Sequence, residues 1–274
     1  MSDRDEAGLQ ALAERIAGQS GLDVGAYKER CIRRRIAARM RACGVHTYGE
    51  YLGVLDQRPD ELQRLLDALT INVTKFFRNP ETWEWLGQHV LPELLEAHEG
   101  RLRAWSAGCA SGEEAYTIVM LVARVLARRG HGAWLDRVRV DATDIDRDCM
   151  ERARAGRYES RAFSEADPAI ATRYCQPLAG GDLEVLPELR ALVSVRRLDL
   201  TSDPAPTERY DLICCRNVII YFDRATQERL MQLFAESLGP GGVLVLGKVE
   251  TILGQARSRF ELLEPRERIY RKAA

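Results

Sequence analysis

The chain has 274 residues, 46% of them apolar and 30% charged, with a formal net charge of −1. That balance excludes a disordered or fibrous chain. The near-neutral total removes any whole-molecule bias toward nucleic acid or a membrane surface, so electrostatic recognition falls to local patches. No apolar run approaches the ~20 residues of a membrane span, and the polar first residues do not read as a secretory signal. Seven cysteines, an odd number with no Cys-x-x-Cys pair, suit reduced thiols in a cytoplasmic protein. The four histidines are scattered and offer no metal spacing, so no metal is expected. No apolar seam argues for more than a monomer.

Residues 1–70 read as a helical domain. Leu9, Leu12, Ala13 and Ile16 share one helical face, and Gly18 and Gly21 close that helix. Residues 27–43 form a second helix with Ile32, Ile36 and Met40 as its buried stripe. Its remaining positions are basic: Lys28, Arg30, Arg33, Arg34, Arg35, Arg39 and Arg41 stand against Glu29 alone. Such a field suits an acidic partner, protein or nucleic acid. The plainer reading is a solvated face whose arginine stems cover apolar surface. No aromatics interleave, which disfavours single-stranded nucleic acid. Two further helices, 46–55 and 60–69, are split by Arg58-Pro59.

Residues 71–80 break the helical period and read as a linker. Asn72, Thr74, Lys75 and Arg78 can face a ligand cleft, and Phe76 and Phe77 can pack beneath them as a linker strand. A helix over 81–98 follows, with Trp83, Leu86, Val90 and Leu94 inward. A strand over 101–107 then runs through Gly108, Cys109, Ala110, Ser111 and Gly112 into a helix that starts at Glu113-Glu114. Strand, small-residue turn and helix make the opening of a nucleotide-type α/β unit. Two glutamates replace the phosphate-binding ending of such turns, which shifts the expected cofactor from a phosphate-bearing one toward S-adenosylmethionine, with its positive sulfonium and amine. The alternative is that both are first-turn residues favoured by the helix dipole.

The second strand, 137–143, leads into Asp144-Ile145-Asp146. An acid there accepts from ribose hydroxyls in doubly wound sheets or caps the next helix; Asp144 is assigned to ribose and Asp146 to the cap. Residues 156–191 depart from the β/α alternation and predict a small β hairpin around Gly180-Gly181, a structural excursion or a partner-recognition insertion. Core strands follow at 192–200, ending at Asp199, at 210–215 and at 243–246. A helix at 224–238, a Gly-Pro-Gly-Gly turn at 239–242 and a closing antiparallel pair at 260–263 and 268–270 complete the chain. Asn217 and Tyr221, just past the fourth strand, are crevice candidates.

Taken together, NVTKFFR at 72–78, WSAGCASGEEAY at 105–116, TDID at 143–146, RLDL at 197–200 and CRNVIIYFD at 215–223 resemble the bacterial chemotaxis receptor glutamate O-methyltransferases of CheR type. The resemblance covers nearly the whole chain. It implies an all-α N-terminal domain and a class I methyltransferase domain over 81–274. The latter would be a doubly wound, mostly parallel sheet with an antiparallel edge strand and a small β insertion. It implies S-adenosylmethionine as cofactor, S-adenosylhomocysteine as product, and receptor glutamates as substrate. By position, Asn72, Thr74 and Arg78 would hold the methionine end, Glu113 and Glu114 its charged end, and Asp144 the ribose. Asp199, Leu200, Asn217 and Val218 would surround the adenine and the reacting region. Arg78 and Tyr221 are the residues expected to take part in catalysis. Arg30, Arg33, Arg34 and Arg41 would dock the receptor's helical bundle, and residues 156–191 would tether its C-terminal tail. Asp199 stands where relatives commonly carry Asn, and Lys248-Val249 where they often carry a His/Ser-type pair. Alternatives are a methyltransferase-fold module acting on another protein or on nucleic acid, or one that binds cofactor or receptor without turnover.

Overall fold

The structure, a computed structural model, describes residues 3–70, 72–204 and 209–273. Ile71, the first residue of the expected linker, lies outside the described residues. The chain divides into two compact units, Met1–Asn72 with Tyr221–Gln227, and Val73–Ile220 with Glu228–Ala274.

The helical unit is built from α1 (Asp3–Ser20), α2 (Glu29–Cys43), α3 (Tyr48–Gln57) and α4 (Pro59–Leu69). Local chemistry sets its boundaries. Thr47 and Glu50 form a reciprocal capping box at the start of α3, and Pro59 occupies the first turn of α4. Gly44 ends α2 in the left-handed region at φ 73°. Leu12, Ile16, Ile32, Ile36, Leu55, Leu65 and Leu69 bury the apolar faces. The second helix begins later than its periodicity predicts, because Tyr27 is extended and bridges to Phe222.

The α/β unit opens with α5 (Pro80–Trp85) and α6 (Leu91–Ala97), then β1 (Leu102–Ala107), α7 (Glu113–Arg128), β2 (Val138–Asp144) and α8 (Arg147–Ala155). A small excursion holds β3 (Arg157–Tyr158), α9 (Pro168–Tyr174), β4 (Cys175–Pro177), β5 (Leu183–Val185) and α10 (Pro187–Arg190). Then come β6 (Val193–Arg197), β7 (Tyr210–Cys215), α11 (Arg224–Ser237), β8 (Leu238–Leu246), β9 (Phe260–Glu264) and β10 (Ile269–Lys272). The main sheet has the order β6-β2-β1-β7-β8-β10-β9. Strands β6 to β8 are parallel, and β10 runs antiparallel to both its neighbours. β1 is buried on both faces beyond Arg103, as a parallel central strand requires. α7 is buried almost all round, from Ala115 to Ala123, against β1, β2, α6 and α10.

Five local expectations are corrected. The helix over 81–98 is interrupted by a π-turn at Leu86–Val90, because Pro92 has no N–H to continue the ladder. The hairpin near Gly180 is a three-stranded sheet, β3-β5-β4. The third core strand stops at Arg197, where Asp199 turns the chain by accepting from Thr201. The Gly239–Gly242 turn lies inside β8 as a bulge, since Tyr210 pairs with Leu238 but Leu212 with Val243. The 70–80 segment is irregular rather than a strand, yet Phe76 and Phe77 are buried as expected.

Candidate functional site

The strand order reverses between β1 and β7, so a crevice opens at the carboxyl ends of these strands. The turn after β1 forms its first wall. Gly108 and Gly112 have φ of 79° and 95°. A Cβ on Gly108 would lie 2.6 Å from Val218 Cγ2, so only glycine lets this turn approach the loop after β7. The turn is held from beneath by Asp144, whose Oδ2 accepts the Ala110 N–H at 2.8 Å and whose Oδ1 accepts the Asp146 N–H at 3.1 Å. Asp146 caps α8 through the Cys149 N–H, as expected.

The two glutamates have different surroundings. Glu113 is buried, and the single Ser111 hydroxyl proton is shared between its two carboxylate oxygens, at 2.8 and 3.0 Å. Glu114 accepts from Ser106 Oγ at 2.8 Å and lies 3.9 Å from the Arg216 guanidinium. Burial pushes the Glu114 carboxyl above the usual carboxylate range, against the opposing pull of Arg216. Burial likewise raises Asp144, against the N–H groups it accepts.

Arg216 is a member of this constellation that its position in CRNVIIYFD alone does not single out. It is buried, its Cζ stands 5.0 Å from the centre of the Trp83 ring, and it donates to the Arg78 carbonyl and Asn79 Oδ1 at 2.9 and 3.0 Å. Arg78 donates from its side chain to the Val73 carbonyl at 3.1 Å, which folds the linker on itself, and its charge also acts on Glu114. Thr74 lies half-buried in the same linker.

Glu250 is a second residue that the sequence reading missed. It is 3% exposed. Its Oε2 accepts the N–H groups of Asn217 at 2.9 Å and Gly247 at 2.6 Å, and its Oε1 accepts that of Ile220 at 3.2 Å. One carboxylate therefore ties the ends of β7 and β8 and fixes Asn217 at φ 62°. Burial raises the Glu250 carboxyl, opposed by those same N–H groups. No periodicity marks such a residue.

Two buried acceptors around this crevice have no hydrogen-bond partner among the described residues, Asn217 Oδ1 and Asp199 Oδ2. The other oxygen of Asp199 takes the Thr201 N–H and hydroxyl, both at 2.7 Å. Leu200 beside it is buried. The structure thus brings together Arg78, Glu114, Asp144, Asp199, Leu200, Asn217 and Val218 at or behind the carboxyl ends of the strands, while Glu113 is turned onto Ser111.

Asn72 and Tyr221 belong to the helical unit. Arg35 lies over the Tyr221 ring at 4.7 Å, and the Tyr221 carbonyl accepts the Lys28 N–H. The basic helix splits into two faces. Arg35 is buried and donates to the Leu69 carbonyl. Arg39 makes a two-point pair with Glu61, at 2.7 and 3.0 Å, and Tyr51 donates to the same carboxylate. Arg30, Arg34 and Arg41 stay exposed, and Arg33 is half-buried beside Glu29.

Residues 72–269 match the family described as "CheR methyltransferase, SAM binding domain", and residues 7–70 match "CheR methyltransferase, all-alpha domain". The chain is 38% identical over 237 residues to a chemotaxis protein methyltransferase of Listeria monocytogenes, covering 86% of this chain and 87% of that one. It is 32% identical over 266 residues to the chemotaxis protein methyltransferase of Escherichia coli K12, covering 94% and 88%.

Proposed function

The chain belongs to the CheR methyltransferase family, the S-adenosylmethionine-dependent methyltransferases of chemotaxis, and we propose that its substrates are glutamate side chains of a chemoreceptor, esterified in sensory adaptation. The residues of the crevice fit the cofactor. Its unpartnered acceptors, Asn217 Oδ1 and Asp199 Oδ2, call for a ligand rich in N–H and O–H donors. The carboxylates of Glu114 and Asp144 favour a cation over a phosphate. Asp199, Leu200, Asn217 and Val218 would hold the cofactor's adenosine end, Asp144 would support the turn beneath it, and Arg78 with Thr74 would meet its amino-acid end. When bound, the cofactor supplies a methyl group on a sulfonium centre.

The observation that carries the glutamate reading is the lack of a histidine base beside the crevice. None of the four histidines falls in the segments that end β1, β2, β6 and β7. A glutamate carboxylate, with an ordinary pKa of ~4.3, is ionised at neutral pH and needs no proton removed. What this chain must then provide is alignment and exclusion of water, and alignment alone is worth up to ~7–11 kcal/mol in ideal cases. The rigid Glu250-held loop and the glycine turn suit that task. The exposed arginines Arg30, Arg34 and Arg41, with Arg33 beside them, would meet an acidic face of the receptor's helical bundle, and the β3-β5-β4 sheet would take its C-terminal tail. The reaction would run on the cytoplasmic side, by a monomer.

The test is transfer of radiolabel from S-adenosylmethionine to chemoreceptor-bearing membranes, followed by mild base. Label released as volatile methanol marks a carboxyl methyl ester. Base-stable label would overturn the glutamate assignment.

A further inference from the structure

The small excursion over 156–191 reaches two of the segments that form the cofactor crevice. The Tyr158 hydroxyl donates to the Ser111 carbonyl of the glycine turn at 2.7 Å. The excursion also grips the linker. The Phe76 N–H donates to the Ala162 carbonyl at 3.0 Å. The Phe76 ring stacks on Phe163 at 3.9 Å and meets Tyr158 edge-on at 4.9 Å. Glu165 completes the hold: its Oε2 accepts the Asn79 N–H at 3.0 Å, and its Oε1 lies 3.4 Å from Lys75 Nζ.

That last bond falls where the backbone needs support. Phe77 and Asn79, on either side of Arg78, have positive φ of 53° and 57°. Side chains larger than glycine's keep such a conformation where their surroundings over-determine it. Thr117 Oγ1 of α7 accepts the Phe77 N–H at 3.0 Å. The peptide unit that joins Arg78 to Asn79 is held at both poles. Its carbonyl accepts from Arg216 and from Trp83 Nε1, at 2.9 and 3.0 Å, and its N–H is taken by Glu165. A carboxylate accepting a backbone N–H makes a charge-assisted bond, stronger than a neutral one.

We propose that Glu165 is a positioning residue for the cofactor's amino-acid end. By holding the Asn79 N–H it fixes the peptide that carries Arg78, and with it the direction from which the Arg78 side chain meets that end. This rests on the reading of Arg78 given above, and it gives the excursion a part in building the cofactor site besides any part in partner binding. Glu165 touches neither cofactor nor substrate in this scheme; it acts through Asn79 and Arg78.

The test compares two ligands by calorimetric titration of the full chain: S-adenosylhomocysteine, and 5′-methylthioadenosine, which lacks the amino-acid end. Glu165→Ala should bind S-adenosylhomocysteine at least about fivefold more weakly, a charge-assisted bond discounted for the partial exposure of Glu165. Its affinity for 5′-methylthioadenosine should stay within about twofold of the parent's, which also reports that the crevice is intact. Glu165→Gln keeps an acceptor for the Asn79 N–H while losing the Lys75 pair, and it should recover most of the lost affinity. Unchanged S-adenosylhomocysteine binding in Glu165→Ala overturns the proposal. So does an equal loss for both ligands, which marks a general structural effect, or a glutamine variant as weak as the alanine one. A parent that binds 5′-methylthioadenosine as tightly as S-adenosylhomocysteine overturns the proposal while the adenosine site stands. A parent that binds neither overturns the cofactor reading itself, and the proposal with it.

Discussion

Replacing Glu250 by alanine isolates the residue on which the crevice loop depends. The substitution removes the acceptor for three backbone N–H groups, those of Asn217, Gly247 and Ile220, at a site 3% exposed. A buried donor left without a partner costs ~1–3 kcal/mol. Three such groups, eased by water entering the vacated space and by no longer burying a charge, come to about 3–5 kcal/mol, a large part of a typical total of 5–15. For a domain of ~200 residues that corresponds to a fall of very roughly 6–20 °C in the unfolding midpoint. Asn217 also loses its hold at φ 62°, so the unpartnered Asn217 Oδ1 no longer points as it does. Affinity for S-adenosylmethionine should then drop by about tenfold or more, the value of one well-made hydrogen bond to a charged group. Calorimetric scanning and titration of the parent, Glu250→Ala and Glu250→Asp measure both effects. The aspartate variant keeps the charge but shortens the reach, and it should fall between the other two. An alanine variant that melts within about a degree or two of the parent and binds the cofactor equally well would refute the reasoning.

Gly108→Ala should place its Cβ against Val218 Cγ2, 2.6 Å away at a positive φ, and cost at least about 2 kcal/mol while closing the crevice; wild-type cofactor affinity in equilibrium dialysis would contradict this. Glu61→Ala leaves the Arg39 guanidinium and the Tyr51 hydroxyl without their acceptor. A loss of about 3 kcal/mol in denaturant unfolding is expected, and a change under about 0.5 would count against it. Glu114, Asp144 and Glu250 have carboxyls raised by burial. Acids of this kind bind their protons more tightly when folded, so the ligand-free chain should gain stability as pH falls toward the ordinary carboxylate range and lose it as pH rises. Glu61 has the opposite sign: held down by Arg39 and Tyr51 against its burial, it should lose its contribution once pH drops below the ordinary carboxylate range. A midpoint that falls steadily as pH drops from neutrality toward the ordinary carboxylate range would be the contrary result.

The elements legible in the sequence were those with strong periodicity or strong punctuation. The stripe Ile32–Ile36–Met40, the Arg58-Pro59 break and the apolar run 210–215 all lie where their patterns place them. The small-residue turn after β1 was legible because glycine spacing there answers a steric demand that Val218 makes plain. Asp146 was readable as a cap from its place before a helix, because capping is a local interaction. What the sequence hid is non-local. Glu250 meets Asn217 across a parallel strand pair, Arg216 meets Trp83 and Asn79 across more than a hundred residues, and Arg39 meets Glu61 between two helices. A run of basic residues likewise does not tell which arginines turn inward; here Arg35 and Arg39 do, because buried acceptors await them. The π-turn at Leu86–Val90 escaped notice because the hydrophobic period survives it, with Leu86, Val90 and Leu94 all still buried.

The order of strands at one side of the sheet bears on how the chain is made. β10 comes last along the sequence but sits between β8 and β9. During synthesis β8 and β9 are therefore both finished while the edge that each will share with β10 is still open, presenting N–H and C=O groups to whatever is near. Only when residues 269–272 have emerged from the ribosome can one strand close both gaps at once. A nascent chain halted before that point would keep two adhesive edges, which makes this region the natural place for chaperone contact and for aggregation of truncated products.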